Sequence, residues 1–120
     1  MCSSECKKKG FKILKGTINH GLLYDKVNDL TVSAFSDADW AGSVNDRRST
    51  SGYVFLLGTT AISWSSKKQP TVALSSIEAE YRAMINATCE AMWIKKLMKD
   101  LFIENLQIII YCDNMSIAFI

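Results

Sequence analysis

"FSDADWAGSVNDRRSTSG", residues 35–52, poses the problem on which the fold turns. Just before and into it, Leu30 to Ser36 alternates, with Leu30, Val32 and Ala34 on one side and Thr31, Ser33 and Phe35 on the other. That period of two predicts a strand. Asp37 continues the face of Phe35, and Asp39 follows two residues later, so two like charges share one face and repel. A turn in water or a bound cation accounts for such a pair. An EF-hand is excluded: Ala41 stands where an acidic or amide side chain precedes the glycine, and Arg48 stands where the closing Glu belongs.

Downstream, Thr50 to Leu57 predicts a second strand, Gly58-Thr59-Thr60 a turn, and Ala61 to Ser65 a third strand. The short connection makes the pair an antiparallel hairpin. Residues 66–70 form a loop. Ser75 and Glu78 have the spacing of a capping box and open a long helix to about Phe102. Its periodic residues, Ile77, Tyr81, Met84, Ile85, Thr88 and Met92, predict the buried stripe. Leu106 to Cys112 is a continuous apolar run, the pattern of a strand covered on both faces. Ser116 to Ile120 predicts the start of another helix. A helix between strands three and four is a crossover connection, so the fold class is α/β.

Length, 120 residues, suits about one domain. A hydrophobic fraction of 48% and a charged fraction of 22% are those of an ordinary globular chain. The net charge of +2 is too small to argue for nucleic acid by itself, although lysines and arginines cluster at 7–9, 47–48, 67–68 and 95–96. Cys2, Cys6, Cys89 and Cys112 have neither zinc-framework nor disulfide-scaffold spacing, and no signal sequence is visible, which predicts an intracellular, reducing setting, cytoplasmic or nuclear and not secreted. No apolar run approaches the roughly 18 residues of a membrane helix. With His20 alone, Ser-His-Asp chemistry and paired His ligands are excluded within this chain.

Three carboxylates fall where charge is least expected. Asp37 ends the first strand and Asp113 ends the apolar fourth, while Glu80 sits on the first turns of the helix, about 60° from the centre of the predicted stripe at roughly 100° per residue. Glu78 has a local role in the capping box. Magnesium takes oxygen ligands, and cleavage of a phosphodiester by two metals about 4 Å apart needs several carboxylates from different elements. Three unrelated solvated acids are the alternative.

"SDADWAG" (36–42), "DRRSTSGYVFLLG" (46–58), "ISWSSKKQPTVALSSIEAEY" (62–81) and "YCDN" (111–114) together resemble the ribonuclease H domain of copia-type retrotransposon polyproteins. "ILKGTINHGLLY" (13–24) is similar to the stretch joining reverse transcriptase to that domain. The resemblance covers about residues 11–120. It implies a connecting segment over 1–29 and an incomplete ribonuclease H-like domain over 30–120. The fold implied is a mixed sheet whose first three strands are antiparallel, with a long helix after the third.

The activity implied is endonucleolytic cutting of the RNA strand of RNA–DNA hybrids with Mg2+ or Mn2+ in a two-metal site, alongside the reverse transcriptase domain of the same polyprotein. By motif, Asp37, Glu80 and Asp113 would be the catalytic and metal-binding residues, with Asp39 an accessory acid. The family's domain continues with a further strand, helices, a fourth catalytic Asp and a His, none of which falls within residues 1–120. The chain alone is therefore expected to be weakly active or inactive, and the rival expectation is a non-catalytic nucleic-acid-binding or interaction remnant. Ile77 stands where the family has Thr, a change expected on the buried stripe. Arg47, Arg48, Lys67, Lys68 and Gln69 are candidate contacts to the hybrid. Trp40 and Trp64 are expected to be buried.

Overall fold

Alternation becomes geometry in β1 (Val32–Asp39), where Val32, Ala34 and Ser36 are buried while Phe35, Asp37 and Asp39 are exposed. The computed structural model describes residues 15–24, 26, 30–113 and the backbone of 115–119. The expectations for residues 1–14, including Cys2 and Cys6, lie outside the described residues. β1 pairs antiparallel with β2 (Thr50–Leu57), which pairs antiparallel with β3 (Thr60–Lys68). A two-residue turn joins β2 to β3, and Gly58 takes the left-handed conformation it needs, with φ 61°.

Helix α1 (Ser76–Asp100) crosses the sheet from its β3 edge to deliver β4 (Ile108–Cys112) parallel to β1, in the register Val32↔Ile108 to Ser36↔Cys112. The sheet of five strands has the order β3-β2-β1-β4-β5, so it is mixed and open, and its first three strands are antiparallel as expected. β5 (Met115–Phe119) pairs antiparallel with β4 through Tyr111↔Ser116 and Cys112↔Met115. It replaces the helix start expected from Ser116. A short apolar run has no periodicity to distinguish the two, and pairing with the free edge of β4 decides it.

The core corrects the predicted helix face. Ala79, Ala83, Ala87, Ala91 and Ile94 are buried, whereas Ile77, Tyr81, Ile85 and Met92 are exposed. Alanines let the helix backbone lie close on the sheet, where Val32, Ala34, Phe55, Ile108 and Ile110 fill the space beneath. Ile77 is accordingly a surface residue, not a buried replacement for Thr. β4 is also covered on one face only: Ile108 and Ile110 are buried while Tyr111 is exposed. The sheet's second face carries a row running Trp64, Val54, Phe35 and Tyr111 across four strands. The Phe35 and Tyr111 rings stack there, 5.3 Å between centroids and 20° between planes. Among the described residues no helix is long and apolar enough to cross a membrane.

The two faces of α1 predict opposite responses. Ala87→Leu should lower stability by about 1–3 kcal/mol through overpacking, whereas Ile77→Thr should change it by less than about 0.5 kcal/mol. Urea unfolding of dilute protein measures both, and equal losses would contradict the alanine face.

Candidate functional site

Parallel pairing of β1 with β4 brings two of the three expected carboxylates together. The last register pair is Ser36↔Cys112, so Asp37 and Asp113 follow side by side on strands about 4.8 Å apart. Both lie on the open face and line one hollow of about 600 Å³ with Phe35, Gly52, Val54 and Tyr111. Asp37 Oδ1 accepts from its neighbour Ala38 N at 2.8 Å, which steadies the carboxylate. Gly52, opposite Asp37 in β2, leaves the flank of that carboxylate free of a side chain.

Glu80 comes from the other side of the sheet. It lies seven residues before Ala87, about 20° from it at 100° per residue, so it shares the inward sector of α1 and is half-buried. It is not among the residues lining the Asp37–Asp113 hollow. Among the described residues, no group of three or more His, Cys, Asp or Glu is placed to hold a metal ion. Asp37 and Asp113 alone suit one magnesium, which is commonly held by one or two carboxylates with water and substrate oxygens.

Asp39 answers the opening puzzle of the neighbouring charge. Its carboxylate occupies the position that a Cβ at Gly42 would take, so the acid folds back over the turn that glycine makes possible. The turn continues through residues 40–49 as a tightly bonded loop. Ala41, at φ 52°, donates its N–H to Ser49 Oγ at 2.9 Å, and Arg47, at φ 57°, donates its N–H to Ser43 O at 2.8 Å.

At the loop's centre Asp46 accepts from Arg48 Nε at 2.7 Å and from Lys68 Nζ at 3.0 Å. Hydrogen bonding to Ser43, then Lys68 and Arg48, holds its carboxyl well below the usual aspartate range. Lys68 Nζ also donates to Ser43 Oγ at 3.0 Å.

Of the five candidate substrate contacts, Arg48 and Lys68 are thus engaged by Asp46. Gln69, expected in an exposed loop, is buried: its Nε2 donates to Ser51 Oγ at 2.8 Å and to Ala79 O at 3.0 Å, tying β2 to the first turn of α1. Arg47 and Lys67 are exposed. Trp40 and Trp64 are exposed rather than buried. Trp40 still has a fixed place, because its Nε1–H donates to Ala73 O at 3.2 Å. At the start of α1, Ser75 Oγ accepts from Glu78 N at 3.1 Å as a capping residue should. Glu78 completes the start differently from a reciprocal box, accepting from Leu74 N at 2.7 Å and bridging Arg82. Bonding to Leu74 N and the charge of Arg82 lower its carboxyl pKa.

Against curated proteins, 114 residues of this chain are 46% identical to the retrovirus-related Pol polyprotein from transposon RE1 of Arabidopsis thaliana, covering 94% of the chain and 8% of the polyprotein. Homologues of the chain thus include retrovirus-related Pol polyproteins from transposons. The corresponding polyprotein from transposon TNT 1-94 of Nicotiana tabacum is 37% identical over 112 residues, covering 93% of this chain and 8% of its own length. Secreted RxLR effector protein 161 of Plasmopara viticola is 49% identical over 87 residues, covering 72% of this chain and 61% of the effector. The chain therefore spans less than a tenth of the Pol polyproteins it matches. No family model and no solved structure matches it.

The Asp46 network carries a pH prediction. A depressed carboxyl pKa contributes order that is fully present above the ordinary aspartate value of about 4 and is lost only as pH falls through the lower folded value. Carbon-13 titration should find Asp46 still ionised where ordinary aspartates are half-protonated. Asp46→Asn should speed hydrogen exchange at Arg47 N at neutral pH, and unchanged exchange would remove Asp46 from its central role in the loop.

Proposed function

We propose that this chain is the ribonuclease H-type segment of a retrotransposon Pol polyprotein, contributing to endonucleolytic hydrolysis of RNA in RNA–DNA hybrids. The observation that carries the reading is the side-by-side placement of Asp37, near the end of β1, and Asp113, just after its parallel neighbour β4. Homology to transposon Pol polyproteins over nearly the whole chain supports it. Asp37 and Asp113 would hold a magnesium ion, which when bound would supply charge stabilisation at the scissile phosphate. The described residues do not gather a third carboxylate beside this pair.

This chain's own side chains divide the remaining work. Arg47 stands exposed on a loop whose backbone is fixed by its bond to Ser43 O, so its cation is open to a phosphate. Lys67 lies at the end of β3 in register with Ser51. Arg48 and Lys68 act one step back, by keeping the loop closed around Asp46. Glu80, on the first turns of α1, is assigned the role of third ligand by resemblance alone.

A second reading is a nucleic-acid-binding remnant without chemistry, favoured because no three acids among the described residues are placed together to hold a metal ion. A magnesium titration followed by amide NMR separates the two. Shifts centred on Asp37 and Asp113, absent from Asp37→Asn, are the expected outcome, and silence there would favour the remnant. In a longer polyprotein segment that contains this chain, Asp37→Asn and Asp113→Asn should each lower hybrid cleavage on the order of 10²-fold or more. Arg47→Ala and Lys67→Ala should each reduce the salt dependence of hybrid binding by about one ion. Cleavage that survives both Asp substitutions would sink the proposal.

A further inference from the structure

One buried side chain joins the elements that carry the candidate acids and cations. Gln69 follows the last residue of β3 and is only 3% exposed. Its backbone N–H donates to Ser49 O at 2.7 Å, at the end of the 40–49 loop. Its carboxamide has two N–H groups to give, and Nε2 donates to Ser51 Oγ in β2 and to Ala79 O in α1. Each anchor lies beside a candidate residue. Ser49 is two residues after Arg47, Ser51 pairs with Ala38, next to Asp37, and Ala79 immediately precedes Glu80.

The first turns of α1 have need of such a link. Within the main apolar cluster the helix is represented by Ala87, Ala91 and Ile94, while Ala79 and Ala83 are buried outside it. An alanine side chain makes few contacts and cannot interlock with the strands beneath. Hydrogen bonds of fixed length do what packing there does not: through Gln69, Ala79 is held above Ser51, level with Ala38 along the strand. Glu80 is thereby kept at the end of the sheet where Asp37 lies, although the two acids approach that end from opposite faces.

We propose that Gln69 is a positioning residue of the nuclease site, setting the level at which Glu80 stands relative to Asp37. The inference deepens the proposed function and rests on it for the role of Glu80. It also changes the part expected of Gln69, which is enclosed by protein and acts through the helix start instead of touching the hybrid.

Gln69→Met keeps the length of the side chain and removes both donors. In a longer polyprotein segment that contains this chain, it should lower kcat for hybrid cleavage on the order of 10- to 10²-fold, with hybrid affinity unchanged and the fold intact by circular dichroism. Combined with Glu80→Gln it should cost nothing further, because the two residues act as a unit. A residue that merely held the fold would add its own loss. In the 120-residue chain, carbon-13 NMR should show the Glu80 carboxyl resonance displaced by Gln69→Met. Ser51→Ala removes one anchor and should give the same loss in kcat to a smaller extent, which decides the matter if Gln69→Met does not fold. Full kcat in these variants, additive losses with Glu80→Gln, or an unmoved Glu80 resonance would each overturn the assignment. A native segment that left hybrid uncut would defeat the nuclease reading instead, and the Glu80 resonance would still show whether Gln69 sets its place.

Discussion

The close seat of α1 on the sheet is the constraint on which the remaining geometry depends. Five small or branched residues, Ala79, Ala83, Ala87, Ala91 and Ile94, form the inward face, and the bulk of the core comes from the strands. A helix lying this near the sheet fixes the path of the crossover, and the crossover fixes β4 beside β1. The neighbourhood of Asp37 and Asp113 is therefore a product of helix packing, although neither residue touches the core. Gln69 reinforces the seat from the other end by joining Ser51 to the carbonyl of Ala79. Polar and apolar contacts agree in where the helix starts.

Much of this was legible in the residues, for identifiable reasons. β1 announces itself by alternation, and β2 and β3 by strand-forming runs on either side of Gly58, whose lack of a side chain permits the turn. Ser75 marks the beginning of α1 because its hydroxyl satisfies an amide that the helix cannot. The face of α1 was not legible, since alanine carries little hydrophobic signal and Ile77, Tyr81 and Met92 carry a great deal. The same misreading turned Ile77 into a core residue. β5 was hidden because Met115–Phe119 is too short to display a period, and only the free edge of β4 explains it.

The site divides along the same lines. Asp37 and Asp113 were recognisable as acids at strand ends, and the crossover through α1 carries their strands side by side. Glu80 was recognisable as an acid on the first turns, but its direction is set by a helix face that periodicity misassigned. The cations depended on a loop closure that linear spacing does not encode: Asp46, unremarkable as a letter, engages Arg48 and Lys68 and leaves Arg47 and Lys67 exposed. Tryptophans mislead in a similar way. Trp40 satisfies its one donor through Ala73 O while its ring remains largely at the surface.

The parallel pairing of Val32 with Ile108 has a consequence for biosynthesis. The three-stranded antiparallel part is contiguous in the chain and is free to form as soon as Lys68 has left the ribosome. The side of β1 that receives β4 stays a bare strand edge until roughly forty more residues have been made, about 2–8 s at the usual rate of elongation. During that interval the nascent chain displays unpaired amides and carbonyls next to Phe35, an invitation to other strands. Protection in the cell then falls to whatever escorts the emerging polypeptide, and slowing translation downstream of Lys68 would lengthen the exposure.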